Sequence, residues 1–241
     1  MKNKKYVGCS GFAQGYWKGI FYPEDLPSRD YLPFYSTKIS AVEINSTFYH
    51  RPTFKTLERW YNGTGTHFKF FIKIPKTLTH LQKLENVKAL AADFCTHISS
   101  GLKEKLAGFL YQLPPSFHCT DGNLLLLLEA VDPKYLNVVE FRHESWWNVE
   151  VLQKLKQKKI VFCGVSFPKN LIDEVMINNN EFLYYRFHGV PVLFKSEYSE
   201  NELEVIAKKI SKFSGTSFVF FNNTWGTAGI KNALQMQKLL K

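Results

Sequence analysis

"NVVEFRHESWW", residues 137–147, opens like a buried strand with Val138, Val139 and Phe141, yet Glu140, Arg142 and His143 crowd the same few positions. A charge buried without a partner loses more in desolvation than apolar packing returns, so charges in such a run need a reason. Strand side chains alternate between faces, which sets Glu140 and Arg142 on one side and Val139 and Phe141 on the other. Seven other short runs, rich in β-branched and aromatic residues and bounded by turn residues, also read as strands: 6–11 (YVGCSG), 41–47 (AVEINST), 67–74 (HFKFFIKI), 106–113 (LAGFLYQL), 160–167 (IVFCGVSF), 182–189 (FLYYRFHG) and 216–223 (TSFVFFNN). Their starts recur at roughly 30 residues, the length of a strand–helix unit.

Helix-like patterns fill the gaps. SRDYLPFYSTK follows the first strand with Ser28 as the expected N-cap, and TFKTLERWYNG follows the second and stops at Gly63. ENVKALAADFCTHIS, NLLLLLEAV, NVEVLQKLKQKK, SENELEVIAKKISKF and IKNALQMQKLLK follow the third, fourth, fifth, seventh and eighth. Only PKNLIDEVMINNN, after the sixth, is a poor helix. Eight alternating units predict an α/β protein built as a parallel eight-stranded (β/α)8, TIM-like barrel, one domain over residues 1–241. No Pro/Gly/Ser linker or low-complexity tract divides it.

Composition narrows the class. A hydrophobic share of 45% with 22% charged residues suits a globular chain that buries a core without staples. Cys9, Cys95, Cys119 and Cys163 form no CxxC pair and no Cys/His metal spacing, which favours reduced thiols and a cytoplasmic location. The basic N-terminus MKNKKYVGCSG has no apolar run after it, and no stretch is apolar for the length of a membrane span. The formal charge of +10 would suit a polyanion, but only five of the 31 basic residues are arginine. Many lysines lie in helix-like stretches and read as a solvated coat. Arg142 and Arg186, inside strands, do not.

The strand endings share a theme. Glu43 and Asn45 end the second strand, Lys73 the third, Gln112 the fourth, Glu140 and Arg142 the fifth, Arg186 and His188 the seventh, and Asn222 and Asn223 the eighth. Glu43/Asn45, Glu140/Arg142 and Arg186/His188 are same-face pairs; since the helix layer is apolar, they should point into the barrel at its C-terminal edge, where barrel enzymes place their chemistry. A competing structural reading is an ion-pair plug in which the two glutamates neutralise the two arginines. It leaves several donors over, and that surplus predicts a small anionic or oxygen-rich ligand. Aromatic residues after the strands (Tyr16, Trp17, Phe48, Tyr49, Trp146, Trp147 and Trp225) could stack on a sugar or base, or pack as a lid.

Individual motifs add little. Polar residues and two glycines in NNTWGTAGIKNAL precede the last helix, where barrels often hold phosphate, while GCSGFAQG lacks a Walker ending and reads as a turn. No GxSxG, HExxH or GxGxxG occurs, and only Glu43 and Glu140 are placed for a hard cation, so neither metal nor cofactor is expected.

Six ordered blocks, VEINSTFYHRP, FKFFIKIPKTLTH, LYQLPPSF, VVEFRHESWW, YYRFHG and FFNNTWGTAGIKNA, resemble the signatures of the YecE-like family, the domain of unknown function numbered 72. The resemblance covers residues 6–240. It implies a TIM-like barrel, with a fold-level analogy to barrels acting on abasic DNA and on sugars. It carries motif positions onto Glu43, Asn45, Tyr49, Lys73, His80, Gln112, Glu140, Arg142, His143, Arg186, His188, Asn222 and Asn223. Where relatives place an acidic residue near the end of the sixth strand or after FNN, this chain has Ser166 and Thr224.

The expectation is an enzyme (hydrolase, isomerase or lyase) acting on a small phosphorylated or carboxylated, sugar-like substrate without a metal. Glu140 and Glu43 are the acid/base candidates, His143 or His188 moves a proton, and Lys73 tunes them. Arg142 and Arg186 hold the anion, while Asn45, Tyr49, His80, Gln112, Trp146, Asn222 and Asn223 contact the rest. The rivals are a nucleic-acid-binding or repair-nuclease-like barrel and a non-catalytic sensor of a small anion. Oligomeric state is not legible in the sequence.

Overall fold

The computed structural model describes residues 3–168, 171–175 and 177–241. Nine strands lie in one parallel sheet: β1 Lys5–Ser10, β2 Ala41–Ile44, β3 Lys69–Lys73, β4 Leu106–Gln112, β5 Asn137–Glu140, β6 Val161–Phe162, β7 Gly164–Ser166, β8 Phe182–Phe187 and β9 Thr216–Phe221. Their order is β6-β5-β4-β3-β2-β1-β9-β8-β7, so the first and last long strands pair and the sheet curls into a nearly closed barrel. Seven α-helices are described: α1 Tyr31–Lys38, α2 Phe54–Asn62, α3 Lys88–Leu102, α4 Asp121–Ala130, α5 Val149–Gln157, α6 Glu200–Ser211 and α7 Ala228–Leu239.

The expected sixth strand, 160–167, is divided. Among the strands β6 pairs with β5 and β7 with β8, Val165 of β7 also bridging Glu174, and Cys163 between them carries the chain from one neighbour to the other. On the side of β6 that faces away from β5, the Asn178 side chain replaces a strand. Its Oδ1 accepts from Phe162 N and its Nδ2 donates to Ile160 O, each at 2.9 Å. The seam arises because buried backbone groups must be paired, and here one amide side chain pairs two of them. No α-helix occurs among the described residues of 168–181. Lys169, Asn170 and Met176 of that expected poor helix lie outside the described residues.

Helix ends follow local chemistry with one correction. Ser28 does not cap α1: it starts a 3-10 turn, Ser28–Asp30, that runs into the helix. Thr53, Thr120 and Asn148 accept from the first-turn amides of α2, α4 and α5, and Ser199 with Glu202 forms a capping box on α6. α2 stops at Gly63, where a Cβ would sit 2.9 Å from the Arg59 carbonyl oxygen.

Strand alternation sorts the core into two. Val42, Ile72, Phe109, Val139, Phe141, Leu183, Phe187 and Phe221 face the helices, while Ala41, Phe71, Leu110, Val138, Val161, Tyr184, Phe218 and Phe220 fill the barrel. The interior is thus packed with rings and branched chains in its lower half, and the buried glutamates and arginines gather near the C-terminal edge. No helix among the described residues is long and apolar enough to cross a membrane.

Candidate functional site

Two polar tiers lie above the apolar filling. In the inner tier Glu43, Glu140 and Arg186 are fully buried. The Arg186 guanidinium bridges both carboxylates, with Nη2 2.6 Å from Glu43 Oε1 and Nη1 2.5 Å from Glu140 Oε2. Glu43 also accepts from Ser10 Oγ and Tyr184 OH, both at 2.6 Å, and Glu140 Oε1 pairs with Arg142 Nε. Burial opposes the charge on Glu140, but Arg142 and Arg186 outweigh it and hold the carboxyl well below its ordinary range. Arg186 is likewise opposed by burial, yet Glu140 and Glu43 push its pKa above the usual value. Two carboxylates therefore meet two guanidiniums. The inner tier balances its charges, as the plug reading required, although Arg186 Nε is buried with no hydrogen-bond partner among the described residues.

The outer tier does not. His188 is fully buried with Nδ1 3.0 Å from Asn222 Nδ2 and Nε2 3.3 Å from Glu140 Oε2. The Asn222 amide nitrogen faces Nδ1, and Nε2 lies between Glu140 Oε2 and Arg142 Nη2, the latter 3.4 Å away. Burial, then Arg142 and Arg186, bring the His188 pKa down to about 3, so the ring is neutral. Lys73 donates to Gln112 Oε1 at 2.9 Å, and burial followed by the Arg186 charge lowers its pKa to about 7. His80 Nε2 approaches the Gln112 amide at 3.4 Å; burial and Lys73 bring its pKa to about 4. Asn45 Nδ2 lies 3.4 Å from Asn222 Oδ1, while Asn45 Oδ1 is buried with no donor among the described residues.

Two hollows open on this tier. One, of about 420 Å³, is walled by Gln112, Arg142, His143, Glu144, Phe167, Leu171 and Phe194 with Pro115 at its edge. The other, of about 300 Å³, is walled by Asn45, Phe48, Tyr49, Lys73, Asn222, Phe194, Tyr16, Thr224 and Trp225. Phe194 is common to both, and Gln112 links them through its bond to Lys73. Tyr49 and Trp225 are about 70% and 69% exposed, so the rim carries exposed rings, with Lys195 Nζ over one face of Trp225 at 5.2 Å.

The remaining expected residues sit differently. Asn223 follows Asn222 and so points the other way, into the helix layer, where Nδ2 donates to Ser196 O at 2.9 Å and to Asn232 Oδ1. Trp146 is fully buried between Phe117 and Phe141, with its Nε1 donating to Phe117 O at 2.7 Å. Trp17 is also buried and donates to Gly226 O. His143 reaches the rim of the first hollow, stacks on His118 at 3.9 Å and pairs Nδ1 with Ser145 Oγ. In the turn before α7, Asn223 O already takes the Gly229 amide at 3.0 Å. Sequence reasoning passed over Ser10 and Tyr184, although both share the inward phase of Arg186 and Glu43. It also passed over Phe167, Leu171 and Phe194, which come from loops without periodicity. Among the described residues, no group of three or more His, Cys, Asp or Glu is gathered as for a metal.

These features define a class of parallel β/α barrel with a charge-neutral inner tier and a donor-rich C-terminal mouth. The sequence profile of the family described as "Protein of unknown function DUF72" matches residues 6–241, and the chain belongs to that family. It is 24% identical to the UPF0759 protein YunF of Bacillus subtilis, over 98% of this chain and 94% of that one. The UPF0759 protein YecE of Escherichia coli is 28% identical over 47% of this chain and 42% of its own. Among solved structures, a DUF72 family protein of Thermotoga maritima superposes with a TM-score of 0.88 at 30% identity, covering 98% of this chain and 99% of that one. One from Enterococcus faecalis gives 0.82 at 20% identity, with 98% and 95% covered.

Proposed function

We propose that the protein is an enzyme acting on a small phosphorylated or carboxylated, sugar-like molecule at the barrel mouth. One observation carries this reading. Arg142 is held by Glu140 through Nε and stacked over the Phe167 ring at 4.3 Å, and its outer edge faces the larger hollow. A guanidinium fixed from behind presents a preorganised fork to an anion, at little entropic cost. The unpaired Asn45 Oδ1 and the Asn222 and Gln112 amides suit hydroxyl groups. In this reading Glu43, Glu140 and Arg186 set the position of Arg142 and His188. The divided strand β6/β7 is taken as one interrupted stave of an eightfold TIM-like barrel. The free thiols Cys9, Cys95, Cys119 and Cys163 suit a cytoplasmic setting.

The test is calorimetric titration with inorganic phosphate and with three- to six-carbon sugar phosphates. Saturable binding is expected, and Arg142→Ala should weaken it about ten- to a hundredfold, the worth of a charged hydrogen bond. No binding by any of these, or equal binding by Arg142→Ala, would remove the proposal. The exposed rings of Tyr49 and Trp225 favour a second reading, stacking of a single-stranded nucleic acid. Oligonucleotide binding that falls steeply with salt, with sugar phosphates inert, would select it.

A further inference from the structure

The Lys73 amine has a use that acid–base chemistry at the mouth leaves open. Its side chain is 9% exposed, and its Nζ lies 4.0 Å from the Phe48 ring at the wall of the smaller hollow. As an ammonium it would have three N–H groups for one acceptor, Gln112 Oε1, and no carboxylate lies within ion-pair distance among the described residues. A structural lysine would be expected to reach a carboxylate. Glu43 and Glu140 are the carboxylates nearby, and Arg186 and Arg142 engage both. The charged groups acting on the amine are therefore Arg186 and Arg142 against it as a cation and the paired Glu140 and Glu43 for it, with the neutral His80 ring beyond Gln112. Burial beside other cations is how an amine is kept free at neutral pH.

We propose that Lys73 is a nucleophile that forms an imine with the aldehyde or ketone carbon of a small anionic sugar. The proposal rests on the anion site read at Arg142, since Gln112 touches Lys73 and walls the Arg142 hollow. The Nζ lone pair attacks the carbonyl carbon, a C–N bond forms as the C=O π pair moves to oxygen, and one Nζ proton passes through water to that oxygen to give a carbinolamine. The hydroxyl takes one proton from solvent and leaves as water, while the restored nitrogen lone pair closes the C=N bond of a cationic imine that keeps the other Nζ proton. No oxidant or metal is needed, and the neutral amine is regenerated by hydrolysis. The unpaired Asn45 Oδ1 would accept a hydroxyl of the sugar. The cationic imine would then acidify the adjacent C–H, which suits isomerase, aldolase-type or other lyase chemistry.

The experiment is reductive trapping on the intact protein. D-Glyceraldehyde 3-phosphate and, separately, D-glyceraldehyde are incubated with the protein and sodium cyanoborohydride at pH 7, and adducts are located by peptide mass spectrometry. The Lys73 peptide should carry the adduct at least about tenfold above the average surface lysine, because an ordinary lysine near pKa 10.4 is almost wholly protonated there. Lys73→Arg should lose that adduct while keeping the surface ones. Labelling of Lys73 no faster than surface lysines with both aldehydes would overturn the imine, whatever phosphate binding shows. Arg142→Ala should slow labelling by the phosphorylated aldehyde only. If it slows neither while Lys73 still labels selectively, the imine stands and the anion site falls.

Discussion

Arg186 illustrates what a single residue decides here. It is a fully buried guanidinium whose two Nη atoms hold two fully buried carboxylates. Each ion loses several kcal/mol on leaving water, and only the mutual attraction with the added Ser10 and Tyr184 hydroxyls offsets that loss. Arg186→Met should therefore cost about 3–5 kcal/mol in urea denaturation at pH 7, since it leaves buried carboxylates behind. The pH dependence has a definite sign. Glu140 has a depressed pKa in the folded state, so its stabilisation is complete above the unfolded glutamate value of about 4.3 and is lost as pH falls through the folded value. The gap between wild type and Arg186→Met should narrow below that pH; a constant gap down to acid unfolding would show that packing, not charge, was lost. The phase of Glu43, Glu140 and Arg186 was legible because side chains two apart share a face. Asn222 and Asn223 show the limit of that rule, since neighbours in a strand cannot both look inward. Trp146 shows another, because a tryptophan near a strand end is equally suited to stacking on ligand or between Phe117 and Phe141.

At the scale of elements, the division of β6 from β7 is the feature no periodicity announced. IVFCGVSF is an unbroken apolar run, and nothing in it marks Cys163 as the point where hydrogen bonding changes from one neighbour to the other. The decision lies fifteen residues on, in Asn178, which takes the place of a missing strand with one donor and one acceptor. Asn178→Ala should cost about 2–4 kcal/mol by leaving two buried backbone groups unpaired, and Asn178→Asp should cost at least as much, because it sets a buried carboxylate oxygen against the Ile160 carbonyl. An alanine penalty under about 1 kcal/mol by chemical denaturation would mean the seam is held by packing alone. The helices, by contrast, were legible to within a few residues, because apolar patterning and a stop such as Gly63 act locally. Ser28 failed as a cap because the chain enters α1 through a 3-10 turn.

For the whole molecule, closure depends on the last strand. β9 pairs with β1 on one side and β8 on the other, and Phe218 and Phe220 fill the barrel. A chain ending at Gly215 would leave both neighbours with open edges and the interior without those rings, so we expect aggregation and no cooperative unfolding in far-ultraviolet circular dichroism. A cooperative transition from that truncated chain would show a folding unit smaller than the single domain expected over residues 1–241. By itself the sequence determined the parallel β/α class, the approximate strands and helices, and the inward phase of Glu43, Lys73, Gln112, Glu140, Arg142 and Arg186. Each of these follows from periodicity or capping within a few residues. Only the tertiary structure decided that Arg186 takes both glutamates, that no carboxylate among the described residues reaches Lys73, and that Phe194 walls both hollows of the mouth. Those outcomes depend on which side chains meet across the barrel from strands far apart in sequence, and a finite number of partners must then be shared.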